Sequence, residues 1–230
     1  METAPVTDRF RAADDGASLS RRARQLYGDA SGFAVALQKL RPFICPFERL
    51  IEQVPPGSMV LDVGCGAGLF LGLLAADHRI VRGVGFDSST TAIALANRMR
   101  ANVPREVSLE FVVANAIDSW PAEEHFDVVS LVDVMHHIPR ALQSRVLSYA
   151  IDRVRPGGLL LYKDMALHPR WRAWCNQAHD LLLARQWIHH VPIGQVERQA
   201  AAAGLHVAAR GSATRLWYAH EWRVFQRSAS

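Results

Sequence analysis

The stretch Val60-Leu-Asp-Val-Gly-Cys-Gly-Ala-Gly68 constrains this chain more than any other feature. Met59–Val63 is an apolar run of strand length. It ends in glycines, and the segment from Gly64 to Ala76 reads as a turn feeding a helix. Glycine allows a sharp turn and lets a ligand approach the main chain closely. A helix opening there offers unpaired N–H groups and a partial positive charge. In an open parallel sheet such a crevice is where ligands bind. A plain tight turn and a dinucleotide site are the competing readings. The dinucleotide fingerprint would put its third glycine at position 69. That position is Leu69, and the third glycine is Gly68. Asp62 would also repel a pyrophosphate; it suits a ligand that carries an ammonium group.

The rest of the chain continues the alternation. Strands are expected at Ile80–Phe86, Leu109–Val113, Phe126–Val132 and Leu159–Tyr162, the last after a turn at Pro156, Gly157 and Gly158. Helices are expected from a cap at Ser88 or Ser89 to about Arg100, and from Pro139 onward with Leu142, Val146, Tyr149 and Val154 on one face. Continuously apolar strands that alternate with helices make a parallel sheet covered on both faces. Upstream of Pro55-Pro56-Gly57, Met1–Ser20 reads as a tail. Phe33, Leu37, Leu40, Phe43, Phe47 and Leu50 then fall at helical spacing, interrupted by Pro42 and Pro46. Downstream, helices are expected over Arg170–Trp187 and Ile193–Ala203. Two antiparallel strands follow, Leu205–Arg210 and Leu216–Gln226, joined by Gly211 and Ser212.

Composition bounds the function. The chain has 230 residues, 50% hydrophobic and 21% charged, which is one globular domain with an extension. The net charge of +4 comes almost wholly from arginine, since Lys39 and Lys163 are the only lysines. The densest basic cluster, Arg21, Arg22 and Arg24, is too short for a nucleic-acid stripe. Cys45, Cys65 and Cys175 lie far apart without a C-x-x-C pair. This excludes a disulfide scaffold or zinc knuckle and fits a reducing compartment. The polar, acidic start and the absence of a run of about 20 apolar residues point to a cytoplasmic protein without a membrane span. Nothing in the chain specifies an oligomeric state.

Together these residues resemble class I S-adenosylmethionine-dependent methyltransferases, over residues 57–165. Asp62-Val-Gly-Cys-Gly-Ala-Gly68 is similar to the family's first motif. Gly85-Phe-Asp87-Ser88 is similar to the end of its second strand, where an acidic residue holds the ribose hydroxyls. Val113-Ala-Asn115-Ala116 is similar to its adenine segment, with Asn115 where the family usually has Asp. Asp127–Pro139 and Arg155–Tyr162 complete the landmarks. The resemblance implies a Rossmann-like α/β fold, a seven-stranded, mostly parallel sheet with one antiparallel strand and helices on both faces. It implies a domain over 57–230, with residues 1–56 as tail and helical lid. It also implies S-adenosylmethionine as cofactor, bound through Asp62, Gly64, Cys65, Gly66, Gly68, Asp87, Ser88, Asn115, Ala116 and Asp133, with Asp133 near the methionine end.

Methyl transfer from a sulfonium needs positioning of the acceptor and, for a hydroxyl or activated carbon, a base. Asp133, His136, His137, Lys163 and Asp164 fall at the ends of the fourth and fifth strands. His136 is the preferred base and matches by position a histidine used in small-molecule members of the family. Loop packing is the bland alternative. Lys163 and Asp164 could pair with each other, or Asp164 could orient a histidine or bind the substrate. The aromatic C-terminal third (Trp171, Trp174, Trp187, Trp217, Trp222) suggests core packing or an apolar acceptor pocket, with His168, His179, His189, His190 and Tyr27 as polar contacts. No metal site is expected, because these histidines show no ligand spacing. The resulting expectation is methyl transfer to a small-molecule acceptor, a hydroxyl or activated carbon of an aromatic, polyketide, quinone or lipid-like metabolite. An RNA or protein methyltransferase is the second reading, although the chain lacks N/D-P-P-[YF] after the fourth strand. A non-catalytic cofactor-binding sensor is the third.

Overall fold

A computed structural model describes residues 16–28, 32–120, 124–166, 189–215 and 218–229. The expected helix over Arg170–Trp187, with Trp171, Trp174, His168 and His179, lies outside the described residues, as does Trp217. Three helices come first: α1 (Gly16–Tyr27), α2 (Phe33–Ile44) and α3 (Phe47–Ile51). Then follow β1 (Ser58–Val63), α4 (Leu69–Ala76), β2 (Ile80–Asp87), α5 (Thr90–Met99), β3 (Ser108–Val113), β4 (Phe126–Val132), α6 (Arg140–Asp152), β5 (Val154–Met165), α7 (Ile193–Ala202), β6 (Leu205–Arg215) and β7 (Tyr218–Arg227).

The sheet order is β3-β2-β1-β4-β5-β7-β6. All pairs from β3 to β5 are parallel, and β7 runs antiparallel to both neighbours. The single reversed strand agrees with the expectation. The chain leaves β1 toward β2 and β3, then returns to the other side of β1 as β4. The crevice beyond the carboxyl ends of β1 and β4 is therefore the topological switch point. β1 and β4 are buried along nearly their whole length. α4 is apolar all round and seven of its eight residues are buried, so it is a core helix rather than a surface one.

Position 64 has room only for glycine. Its φ is +68°, and an added Cβ would lie 2.3 Å from Val134 Cγ2. Ser89 is the cap of α5, accepting the Ala92 N–H through its hydroxyl. Pro139 sits one residue before α6.

Three expectations are corrected. Pro42 does not interrupt the helical segment; it lies inside α2. A proline inside a helix gives up one N–H donor; α1 packs along this stretch, where the Ser20 hydroxyl donates to Lys39 O at 2.8 Å. The turn at Pro156-Gly157-Gly158 belongs to β5 as a bulge: Phe126 pairs with Val154 but Val128 pairs with Leu159. Gly211 and Ser212 are not the hairpin loop. β6 continues through them to Arg215, opposite Tyr218, and Gly211 faces Trp222. A Cβ on Gly211 would meet the indole at 2.1 Å, so the missing side chain seats a buried tryptophan.

α1 is built into the core. Leu19, Ala23, Leu26 and Tyr27 are buried at helical spacing, and each large apolar member contributes about 1.5–3 kcal/mol. The Tyr27 hydroxyl donates to Ala67 O in the glycine turn at 2.9 Å. Tyr27 is thus a support beneath that turn and not an acceptor contact.

Gly211→Ala is expected to cost about 1–3 kcal/mol through overpacking against Trp222. Calorimetry would show a melting temperature lowered by several degrees; an unchanged value would contradict this seating of the indole.

Candidate active site

Beyond β1, Gly64, Gly66 and Gly68 all have positive φ, at +68°, +54° and +80°. The turn they make is tied to β2. The Cys65 N–H donates to Phe86 O at 3.0 Å, and the Gly66 N–H donates to Asp87 Oδ2 at 3.0 Å. Asp87 Oδ1 accepts the Ser89 N–H at 2.8 Å. The carboxylate at the end of β2 is thus held at both oxygens, each with a further lone pair for a diol. After β3, Asn115 Oδ1 accepts the Ile117 N–H at 2.9 Å, which fixes the loop that follows.

These segments open on a cavity of about 670 Å³, in the usual range for ligand pockets. Of the expected cofactor residues, Gly64, Gly66, Asp87, Ser88, Asn115, Ala116 and Asp133 line it. Asp62, Cys65 and Gly68 form the layer beneath. Asp62 accepts from the Ser130 hydroxyl at 2.6 Å, and burial pushes its carboxyl up to about 7 despite that bond. Cys65 packs where Gly85 has no side chain, and Gly68 lies against the Phe111 ring.

Asp133 is the first residue after β4 and adopts φ 57°, a conformation uncommon for a non-glycine residue. Its N–H donates to Lys163 O at 3.0 Å. Its Oδ1 accepts from Lys163 Nζ at 2.5 Å, and its Oδ2 faces Arg41 at 3.4 Å. Burial alone would raise the Asp133 carboxyl, but the Lys163 ammonium and the Arg41 guanidinium outweigh it and hold it far below the usual range. Lys163 is fully buried. Burial works against its charge, and Asp133 more than offsets that, so Lys163 is held above the ordinary lysine value. A protonated, sealed ammonium cannot act as a base, and Lys163 does not line the cavity.

Asp164 pairs with His136, not with Lys163. His136 Nδ1 lies 2.5 Å from Asp164 Oδ1, and both residues are buried. Asp164 Oδ1 also accepts the Met165 N–H at 2.8 Å. His136 lines the cavity, and Asp164 lies behind it. The loop is pinned from outside: Gln143 Nε2 donates to the carbonyls of Met135, Ile138 and His189, and the His189 N–H donates to His136 O. His137 lines the cavity beside it, with ring centroids 4.1 Å apart.

Sequence reasoning missed Arg41 and His220. Arg41 projects from α2 between Gly66 and Asp133, with its guanidinium 5.7 Å above the Phe47 ring. His220 on β7 donates from Nε2 to Ile44 O at 2.7 Å, tying the end of α2 to the sheet. Burial, then the Lys163 charge, lowers it to about 3, so it stays neutral. A basic residue inside an apolar helix was the only advance signal for Arg41, and His220 had none. Asp133, His136 and Asp164 bring ligand-type atoms within 4.8 Å of one another. A dication there would sit against the Lys163 ammonium, which already neutralises Asp133.

The methyltransferase-domain family model matches residues 38–209. The chain belongs to the class I S-adenosylmethionine-dependent methyltransferases. A ubiquinone biosynthesis O-methyltransferase from Pseudomonas putida (strain W619) is 29% identical over 115 residues, half of this chain and 47% of that protein. The chain thus matches the curated relatives over about half of their length. Magnesium protoporphyrin IX methyltransferase from Synechocystis PCC 6803, solved with bound SAH, superposes with a TM-score of 0.66 at 18% identity, covering 90% of this chain and 93% of that one. A Haloferax volcanii methyltransferase, solved in complex with the Trm112 methyltransferase activator, gives 0.64 at 18% identity, covering 79% and 88%. The cofactor of this methyltransferase is S-adenosylmethionine. The donor set fits it: Asp87 for the ribose diol, the Asn115–Ala116 loop for the base, and one cation and one anion, Arg41 and Asp133, for a zwitterionic amino-acid head.

Lys163→Met is expected to destabilise the protein by about 1–3 kcal/mol, because it leaves the part-buried Asp133 carboxylate with Arg41 alone. Adding Asp133→Asn is expected to restore part of that loss in denaturant titrations. A single variant as stable as the wild type would show that the pair is not buried as described.

Proposed function

We propose that this methyltransferase methylates a hydroxyl of a small, largely apolar metabolite, with His136 as general base oriented by Asp164. The His136–Asp164 pair on the cavity wall carries the reading. S-adenosylmethionine supplies a methyl group already activated on a sulfonium, so the protein's work is positioning, water exclusion and handling one proton.

Asp164 accepts from Nδ1 of His136. That fixes the ring and leaves proton abstraction to Nε2 at the opposite edge, while the carboxylate stabilises the imidazolium that forms. Asp87, the Asn115 loop and the Arg41–Asp133 pair hold the cofactor's three parts. Lys163 keeps Asp133 charged and in place. Leu37, Ile44, Ile138 and Met165 give the same cavity an apolar side, which suits an uncharged aromatic or lipid-like acceptor. The O-methyltransferase among the relatives supports oxygen as the acceptor atom. No described helix is long and apolar enough to cross a membrane. We take the protein to act in the cytoplasm on a diffusible substrate and not on nucleic acid.

A panel of phenols and aliphatic alcohols with labelled cofactor tests the reading. His136→Ala is expected to lower kcat about 10²–10⁴-fold, with S-adenosylhomocysteine affinity within about twofold of wild type. Asp164→Asn should reproduce most of that loss. Full turnover by His136→Ala with the true acceptor would reject the base.

A further inference from the structure

One polar side chain on the cavity wall has no assigned work. Gln38 lies on α2 and lines the cavity, yet it is only 9% exposed. Its amide oxygen is buried without a hydrogen-bond partner. A buried amide oxygen left unpaired is costly, and native proteins rarely keep one without a reason. Core packing would be served better by methionine or leucine at the same volume.

The path of α2 shows which part of the cavity Gln38 faces. At the carboxyl end of the helix, Ile44 O accepts from His220 on β7. Three residues earlier, Arg41 reaches Asp133 after β4 and approaches Gly66 after β1. The helix therefore runs back across the ends of β7, β4 and β1. The same course carries Gln38, one turn before Arg41 and on the same face of the helix, onward past Asp133 toward the β1 side of the cavity it lines. Beside it, Lys39 O accepts from Ser20 on α1, the helix whose Tyr27 holds Ala67 of that turn.

We infer that the Gln38 amide binds the amino-acid head of S-adenosylmethionine beside Arg41. An amide offers both a donor and an acceptor, so it can serve a carboxylate or an ammonium where a purely cationic residue serves only the former. The lid helix thereby recognises the cofactor's zwitterion, and Gln38 discriminates for ligands that carry it. The inference rests on the cofactor placement above, and it differs from the acceptor reading in which end of the cavity it concerns.

Calorimetric titration of the full chain with S-adenosylhomocysteine and with 5′-methylthioadenosine, which lacks the amino-acid head, separates the possibilities. Gln38→Met is expected to weaken S-adenosylhomocysteine about tenfold and leave methylthioadenosine within about twofold. The unliganded variant should melt at the same temperature as wild type or higher, because an unpaired polar group has been removed. Gln38→Ala should show the same ligand split, and retained methylthioadenosine binding certifies that either variant is folded. An unchanged S-adenosylhomocysteine affinity, or equal weakening of both ligands with a lower melting temperature, would overturn the inference. A wild-type protein that binds neither nucleoside would instead reject the cofactor placement itself, and this assignment with it.

Discussion

Asp133 stands between two cations at the point where the sheet, the lid helix and the cavity meet. Its carboxylate is largely removed from water, so it needs charge partners close at hand, one for each oxygen. Lys163 supplies the permanent partner from within the sheet, and Arg41 supplies the other from α2. Carrying an ion cluster into the interior costs more than apolar packing would. What it provides is a fixed dipolar wall: a negative group locked in position and a positive one, with 28% of its side-chain surface exposed, on the side of the cavity. The left-handed backbone at Asp133 belongs to the same arrangement. It aims the carboxylate at Lys163 while the following turn swings His136 back against Asp164.

That cluster explains why the first helices are not a detachable cover. α1 packs under the glycine turn and holds it through Tyr27, and α2 crosses the cavity mouth with its far end tied to β7. Both ties use neutral donors: burial pushes the Tyr27 hydroxyl well above its ordinary value, and His220 remains uncharged. Neither tie changes charge near neutral pH. In the proposed function the cofactor takes the end of the cavity built by β1, β2, β3 and α2, and the acceptor takes the end built by the turn after β4, by β5 and by the end of α2.

The fold was largely legible in the chain because its signals are local. A run such as Phe126–Val132 is apolar throughout, and the glycine turn allows few backbone courses. Strand order followed from the resemblance, not from periodicity. The site was half legible. Residues that a motif places, such as Asp87, Asn115 and His136, could be named as candidates, and they line one cavity. Residues that act through a partner far along the chain could not. Nothing near Lys163 says that its ammonium meets Asp133 and not the adjacent Asp164. In a strand, neighbours in sequence point to opposite faces, and that alternation separates them. Arg41, Gln38 and His220 were hidden for the same reason, since each meaning depends on α2 lying across the sheet. Gly211 misled because glycine signals a loop locally, whereas here a tryptophan on the next strand occupies its empty space.

The central claim is that the turn after β1 and the ion-paired Asp133 jointly receive S-adenosylmethionine. A crystal structure of the protein with S-adenosylhomocysteine tests it most directly. The account predicts the ribose on Asp87, the adenine beside Asn115, and the amino-acid head between Arg41 and Asp133, with the sulfur facing His136. Density for the nucleoside elsewhere, or an Asp87 carboxylate that touches no part of it, would contradict the account.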